Sequence, residues 1–298
     1  VYKRQTSPYK KGSLSLHAAS CKNTRSFCRA VVHYDLTVGF AQTALHIIVG
    51  VLLFLLLNIS YFVYNNNDVG SIQEPGLVDA WIYFFKGAPP FNAMDIHFVV
   101  PATWFVSQIY VLYIVLWYPI KDLNTNGVHL LIRSGNRKIW WVSKVCWVLV
   151  SVTLYYILLF TVTMICVKFK YVNLEYTDAL LGIAPSTEGI MYSPQQYLKA
   201  FLSPLFSSYG YAILELVLSL SISPVLSFCA VFILNLMAVF FTSPLLFANL
   251  SMLARTDVIL GGAIHFNTEM ILIAAIVVLG CIIGCFLIEK KDLIGEKE

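Results

Sequence analysis

Residues 119–144 read P-I-K-D-L-N-T-N-G-V-H-L-L-I-R-S-G-N-R-K-I-W-W-V-S-K, and long apolar runs lie on either side of them. The segment, called the bridge below, is rich in positive charge. Its cations are Lys121, Arg133, Arg137, Lys138 and Lys144. Because cytoplasmic loops of membrane proteins carry an excess of Lys and Arg, we expect the bridge to face the cytoplasm. The pattern fits an ordinary positive loop or a docking segment for a partner, and it favours neither.

The composition places the chain in the membrane class. Of its 298 residues, 58% are hydrophobic and 12% are charged, with a mean hydropathy of +0.74. Soluble domains are about 45–50% apolar and about 25% charged. The net charge of +4 is small, and the basic residues flank apolar runs, so we expect no nucleic-acid partner.

Six apolar runs predict six transmembrane helices in an all-α polytopic fold. A helix needs about 20 residues to cross the hydrocarbon core of a bilayer. The predicted spans are 38–62, 96–118, 145–167, 204–222, 224–242 and 270–288, and the predicted outer loops are 64–95, 168–203 and 244–268. We expect one transmembrane domain over 20–298, a mobile polar segment over 1–19, and an assembly scar at the opening V-Y-K-R-Q (1–5).

Residues 20–35 show a helical period. Phe27, Val31 and Tyr34 fall on one side, and Arg25 and Arg29 fall on the other. This pattern predicts an amphipathic helix in the membrane interface, which contacts lipid, before the first span. The alternative is a basic flank without that structure.

After the third predicted span, four Ser-Pro pairs begin at Ser193, Ser203, Ser223 and Ser243. Since Ser is a good N-cap and Pro a good first helical residue, each pair is expected to start a helix. This predicts a short helix over 194–202, the fourth and fifth spans, and a break after Thr242. The rival is one kinked helix over 224–254. We expect two short apolar pieces, 244–253 and 258–264, to form a re-entrant or surface-lying pair.

The distribution of positive charge predicts the orientation. Fifteen of the 20 Lys and Arg residues fall before the first span, in the bridge or after the last span. We therefore expect a multi-pass protein of the cell membrane with both termini in the cytoplasm.

The sequence carries no catalytic or nucleotide-binding motif, so we expect no enzyme activity, cofactor or metal in this chain. Glu215 lies inside a span, where a carboxylate is a candidate for a role in a cavity or gate. Because a lone carboxylate makes a poor proton relay, a satisfied polar contact or a position nearer the interface is favoured. Gly280 and Gly284 form a Gly-x-x-x-Gly motif for close helix packing, either within the subunit or across a dimer.

Taken in order, four features resemble the membrane subunits (permeases) of ABC exporters of the six-span class with a separate ATPase chain. The first is the interfacial helix, and the second is the bridge run L-L-I-R-S-G-N-R-K-I-W-W-V-S-K (130–144). The third is the pair of short apolar pieces before the last span. The fourth is the ending F-L-I-E-K-K-D-L (286–293).

The resemblance implies a bacterial exporter of two permeases and two ATPases, in which ATP and Mg²⁺ bind to the partner subunit. The bridge would then be a coupling loop that docks on the ATPase. The docking residues it implies are Asp122, Gly127, Arg133, Ser134, Arg137 and Lys138. The expected substrate is apolar or amphipathic, with a peptide favoured. The alternatives are a membrane scaffold or channel, or a membrane enzyme, without an ATPase.

Overall fold

A computed structural model describes residues 24–67, 77–92, 98–122, 137–170, 193–258 and 262–290. The expected mobile segment 1–19, the centre of the bridge (123–136), and most of the predicted loop 168–203 lie outside these residues. The described helices are α1 (Thr24–Asn67), α2 (Leu77–Phe85), α3 (Ala102–Asp122), α4 (Arg137–Lys170), α5 (Pro194–Ser221), α6 (Pro224–Phe240), α7 (Ala248–Ser251) and α8 (Phe266–Lys290), with a 3-10 turn at Leu253–Arg255.

Four stretches are long and apolar enough to cross a membrane: Arg29–Tyr64 within α1, and the helices α4, α5 and α8. The helix α6 is equally apolar but has only 17 residues, which is about 25 Å of helix. Each of the six predicted spans overlaps one of α1, α3, α4, α5, α6 and α8. The all-helical fold is confirmed for the described residues, while the six crossings stay a prediction.

The helix α1 joins the predicted interfacial helix to the first predicted span. It runs without a break for 44 residues, about 66 Å. The expectation of a separate amphipathic element is therefore wrong, because no helix breaker separates the two parts. Thr37, at the predicted junction, donates its hydroxyl to the carbonyls of His33 and Tyr34 and so stays inside the helix.

The helix α5 corrects a second prediction, since it passes straight through Ser203-Pro204. A proline inside a helix leaves the carbonyl four residues earlier without its usual N–H donor. Here the carbonyl of Ala200 accepts from the Ser203 hydroxyl at 3.3 Å and from the Trp81 indole N–H at 3.2 Å. The two side chains replace the missing donor, so the predicted helix over 194–202 is part of α5.

Two of the other Ser-Pro pairs do start helices. Ser193 caps α5 in a capping box with Gln196, and Ser223 caps α6 by accepting from the backbone of Leu226. The helix α6 ends at Phe240, which confirms the predicted break and excludes the kinked helix over 224–254.

The fourth pair, Ser243-Pro244, starts no helix. Turns follow it, and then the four-residue α7 and the 3-10 turn. The side chain of Asn249 donates to the carbonyls of Phe241 and Ser243 and holds this turn together. Residues 244–258 thus fold back over the helix ends as compact, largely buried backbone. The predicted pair of short apolar pieces agrees with this only in placing no spanning helix here.

A buried helix lies where the sequence predicts only loop. The helix α2 contacts α1, α3, α4 and α5, and its Trp81, Phe84 and Phe85 are fully buried. The run L-V-D-A-W-I-Y-F-F is too short to cross a membrane as a helix. Such a short apolar helix is stable here because longer helices surround it.

The remaining packing defines two ends of the bundle. The helix α1 packs along α4, and α8 packs along both α5 and α4. We call the end where α3 stops and α4 begins the bridge end. The opposite end, with α2 and residues 241–258 and 262–265, is called the loop end. The flanks of the bridge are helical, because α3 continues to Asp122 and α4 begins at Arg137.

Candidate functional site

At the bridge end, a buried lysine on α4 binds two carboxylates from two other helices. The ammonium of Lys144 lies 2.7 Å from the carboxylate of Asp35 on α1 and 2.6 Å from that of Asp122 on α3. The Lys144 side chain is 0% exposed, and both Asp side chains are 1% exposed. Charges buried this deeply are stable only when they are paired and hydrogen-bonded.

Neighbouring side chains complete the shell around these charges. The hydroxyls of Tyr118 and Ser143 donate to Asp35 at 2.7 Å and 2.5 Å, and the indole N–H of Trp140 donates to Asp122 at 3.1 Å. We call the group formed by Asp35, Tyr118, Asp122, Trp140, Ser143 and Lys144 the Lys144 cluster. It joins α1, α3 and α4 at the level where the bridge leaves the bundle.

The cluster contains one predicted docking residue and one residue that was not predicted. Asp122, a predicted docking residue, is buried and paired with Lys144, and its docking role stays a prediction. Lys144, one of the cations of the bridge, and Trp140 are both buried inside the protein. Asp35 was not predicted as a site residue. The sequence signal for Asp35 is that it is a lone acid just before the first apolar run. The basic end of the third apolar run is expected at the same depth in the membrane.

The start of α4 also binds the end of α8. Arg137 donates from one guanidinium nitrogen to the carbonyls of Ile288 and Glu289, at 3.2 Å and 3.1 Å. Lys138 forms an exposed ion pair with Glu289 at 3.1 Å. Cations at a helix C-terminus are favourable, because the last carbonyls lack helical partners. Both predicted docking residues therefore hold α8 in place in this structure.

The glycine motif lies against side chains of the same chain. A Cβ at Gly280 would collide with Ile213 of α5, and one at Gly284 would collide with the indole of Trp141 on α4. Trp141 also donates its indole N–H to the Cys281 carbonyl at 3.1 Å. Both glycines thus allow close helix packing within the subunit.

Some predicted site residues lie outside the described part of the chain. These are Gly127, Arg133 and Ser134 in the centre of the bridge, and the side chains of Arg25 and Phe27. Within α1, Val31 is buried, Tyr34 is half-buried and Arg29 is exposed.

A second polar network lies deeper in the bundle and joins α3, α4 and α5. The Gln108 side-chain amide donates to the Tyr156 hydroxyl at 3.1 Å, and the Ser208 hydroxyl donates to the Gln108 carbonyl at 2.9 Å. Tyr156 and Ser208 close the ring at 2.7 Å. Because every member has a partner, this network specifies how the helices pack.

At the loop end, Arg255 is buried and bonded to backbone. Its guanidinium donates to the carbonyls of Ala88 at 2.8 Å, Pro89 at 3.1 Å and Val239 at 2.7 Å. It also donates to Asn249 and to the carbonyl of Ala238, so it caps the C-terminus of α6. Burial lowers the pKa of Arg255 to about 10, which leaves it charged at neutral pH.

Glu215 is buried in the middle of the bundle, as expected for a residue inside a span. Neither of its carboxylate oxygens has a hydrogen-bond partner among the described residues, and the role of Glu215 in a cavity or gate stays a prediction. Within the described residues, no three His, Cys, Asp or Glu side chains form a group that could bind a metal.

No protein-family model matches the chain, and no curated protein or solved structure matches it either. The resemblance to ABC exporter permeases therefore stays a prediction. The apolar helices with buried, paired charges indicate a membrane-embedded helical protein.

Proposed function

We propose that this chain is the transmembrane subunit of an ATP-driven exporter and that a separate ATPase docks on the bridge. The two subunits of a dimer, each with six crossings and cytoplasmic termini, would sit in a bacterial cell membrane. The observation that carries the proposal is the Lys144 cluster, which ties both flanks of the bridge to α1.

The geometry supports a route for force from the bridge into the bundle. A displacement of the bridge acts on the end of α3 at Asp122 and on the start of α4 at Arg137. Through Lys144, Asp35 and the carbonyls at the end of α8, the same displacement reaches α1 and α8. An ordinary positive loop does not require such buried connections.

A cleft between α1, α3 and α4 supports the proposal of an apolar or amphipathic substrate. It has a volume of about 120 Å³ and is lined by Phe40, Thr43, Ile47, Gly50, Phe54, Ile114, Ser151, Leu154, Tyr155 and Leu158. Its lining is almost wholly apolar, and Leu154 at its edge is exposed. The cleft is smaller than the roughly 300–1,000 Å³ of a small-molecule site, so it accommodates about one apolar side chain of an amphipathic substrate, and we favour a peptide.

The test is co-expression of the full chain with the P-loop ATPase from an adjacent reading frame. The complex is reconstituted in lipid vesicles, and its ATP hydrolysis is measured across a panel of amphipathic peptides and lipids. We expect the ATPase to co-purify with the chain and its hydrolysis to rise severalfold with some members of the panel.

The variant for this test replaces Arg133, Arg137 and Lys138 with Ala, and the control replaces Lys86 and Lys199, near the loop end, with Ala. We expect the first set to lose the ATPase and the control to retain it. Equal co-purification of both would refute docking at the bridge. A folded chain that binds no ATPase would favour the membrane scaffold or channel.

A further inference from the structure

Two buried glutamates in the bundle have no hydrogen-bond partner within the part of the chain that the structure describes. Glu215 on α5 is 1% exposed and Glu269 on α8 is fully buried, and all four carboxylate oxygens are unpartnered. By contrast, both buried aspartates of the Lys144 cluster are paired. Sequence reasoning missed Glu269 because it falls one residue before the predicted sixth span.

The two glutamates lie on helices that pack side by side. Gly210 of α5 lies next to Ile273 of α8, and Ile213 of α5 lies next to Gly280 of α8. Because the residue numbers rise together from one contact to the next, the two helices run in the same direction. A helix rises about 1.5 Å per residue, so from the contact of Gly210 with Ile273, Glu269 lies about 6 Å towards the loop end and Glu215 lies about 7.5 Å towards the bridge end. The carboxylates are therefore too far apart to bind one cation together.

Burial without a hydrogen-bond donor disfavours the ionised form of each glutamate. For Glu269 this effect opposes the helix dipole, because the residue lies in the first turn of α8. An unpaired carboxylate without hydrogen-bond donors is very costly in apolar surroundings, whereas the neutral acid costs far less. The two glutamates therefore fit a bound proton rather than a metal ion, which would need further ligands.

A row of polar groups runs from the surface at the loop end towards both glutamates. His265, largely exposed, lies one turn before Glu269 and contacts the carboxylate of Asp257 at 3.0 Å. Tyr211 is close enough to Glu269 for an electrostatic interaction and lies one turn before Glu215. The buried polar residues at every fourth position of α5 are Ser203, Ser207, Tyr211, Glu215 and Ser219.

Among the described residues, no Lys, Arg or His side chain forms an ion pair with either glutamate. The titratable or charged groups on the elements packed around them include Tyr155 and Tyr156 on α4, Lys199, Tyr209 and Tyr211 on α5, Arg255 and Asp257 after α6, and His265 and Cys281 at or on α8. Arg255 is bonded to carbonyls and Asn249, and the Lys199 ammonium lies over the Phe266 ring at 5.5 Å.

We propose that Glu215 and Glu269 are proton-binding sites, which hold a proton in this conformation and release it when the contact between α5 and α8 opens to water. Each step moves one proton between a carboxylate and water at the loop end. The conformational cycle of the chain is then linked to pH. The inference requires a membrane-embedded bundle and does not depend on an ATPase partner.

The test uses dicyclohexylcarbodiimide, an apolar reagent that adds to protonated carboxylic acids, on the full chain in lipid nanodiscs. Modified peptides are identified by mass spectrometry over a range of pH. We expect labelling of Glu215 and Glu269 that falls about tenfold for each pH unit above the midpoint of the acid. Exposed, ion-paired Glu289 is the internal control and should stay unlabelled at neutral pH, because an exposed Glu is protonated only near its ordinary pKa of about 4.3.

Infrared spectra of the same samples measure the carbonyl stretch of protonated acid without any reagent. The double variant Glu215→Gln and Glu269→Gln should lose this band, while each single variant loses part of it. If either variant fails to fold, the pH titration of the carbonyl band in the wild-type chain tests the proposal instead. A wild-type chain that shows neither the band nor the labelling, or shows both unchanged at every pH, would overturn the proposal.

Discussion

Replacement of Lys144 by Met is the sharpest perturbation of the structure. Methionine fills a similar volume but removes the charge, so Asp35 and Asp122 remain buried with no cation between them. Removal of one partner from a buried ion pair costs about 3–5 kcal/mol. Since 1 kcal/mol corresponds to about 2–4 °C in domains of this general size, we expect the melting temperature to fall by roughly 10 °C.

The assay is thermal unfolding of the purified chain in a mild detergent, read from its tryptophan fluorescence. The matched control is Lys138→Met, because that ammonium is exposed and paired with an exposed Glu289. An exposed pair contributes about 0–1 kcal/mol, so this variant should melt within a few degrees of the wild type. Addition of Asp35→Asn and Asp122→Asn to Lys144→Met should restore most of the loss.

Equal melting temperatures for the Lys144 and Lys138 variants would refute this account of the bridge end. So would a failure of the Asn substitutions to restore stability, because the loss would then not come from unpaired carboxylates.

Three further predictions use the same melting assay. Arg255→Lys should lower stability by about 3 kcal/mol, because an ammonium has three donors and at least two buried carbonyls would lose their partner. Gly284→Ala should cost about 1–3 kcal/mol, because the new methyl group meets the Trp141 indole. Ser193→Ala should cost about 1 kcal/mol, because the N-cap of α5 would be lost.

Each of these predictions has a control and a contradicting outcome. Exposed Arg29→Lys should be neutral, and equal effects at the two arginines would contradict the assigned role of Arg255.

Gly50→Ala meets only the Tyr110 ring, at 3.1 Å, and should be tolerated better than Gly284→Ala. A stable Gly284→Ala would show that α4 and α8 are not in close contact. Ser193→Thr should retain the cap, and a loss equal to that of Ser193→Ala would argue against it.

The sequence predicts those elements whose signal is local. Long apolar runs indicate α1, α4, α5 and α8, and the caps at Ser193 and Ser223 mark helix starts. The prediction failed at Ser203, where the same local signal occurs inside a helix. The reason is tertiary, because the Trp81 indole from α2 helps to satisfy the carbonyl that Pro204 leaves without a donor.

The candidate site depends on partners that are far apart in the chain. Asp35 and Lys144 are separated by 109 positions, and local periodicity carries no information about such a pair. A count of Lys and Arg residues includes Lys144 as an uncompensated positive charge, whereas in the structure two buried carboxylates neutralise that charge. Glu215 was found because it interrupts an apolar run, while Glu269 was missed because it lies at the edge of one.

The central claim is that a separate ATPase acts on this chain through the bridge. The most direct measurement places a photo-crosslinking amino acid at Ser134, in the bridge, or at Ser186, in the predicted outer loop, in cells that express both subunits. The account predicts a crosslink to a P-loop ATPase from Ser134 and none from Ser186. A crosslink from Ser186, or from neither position in a folded chain, would contradict it.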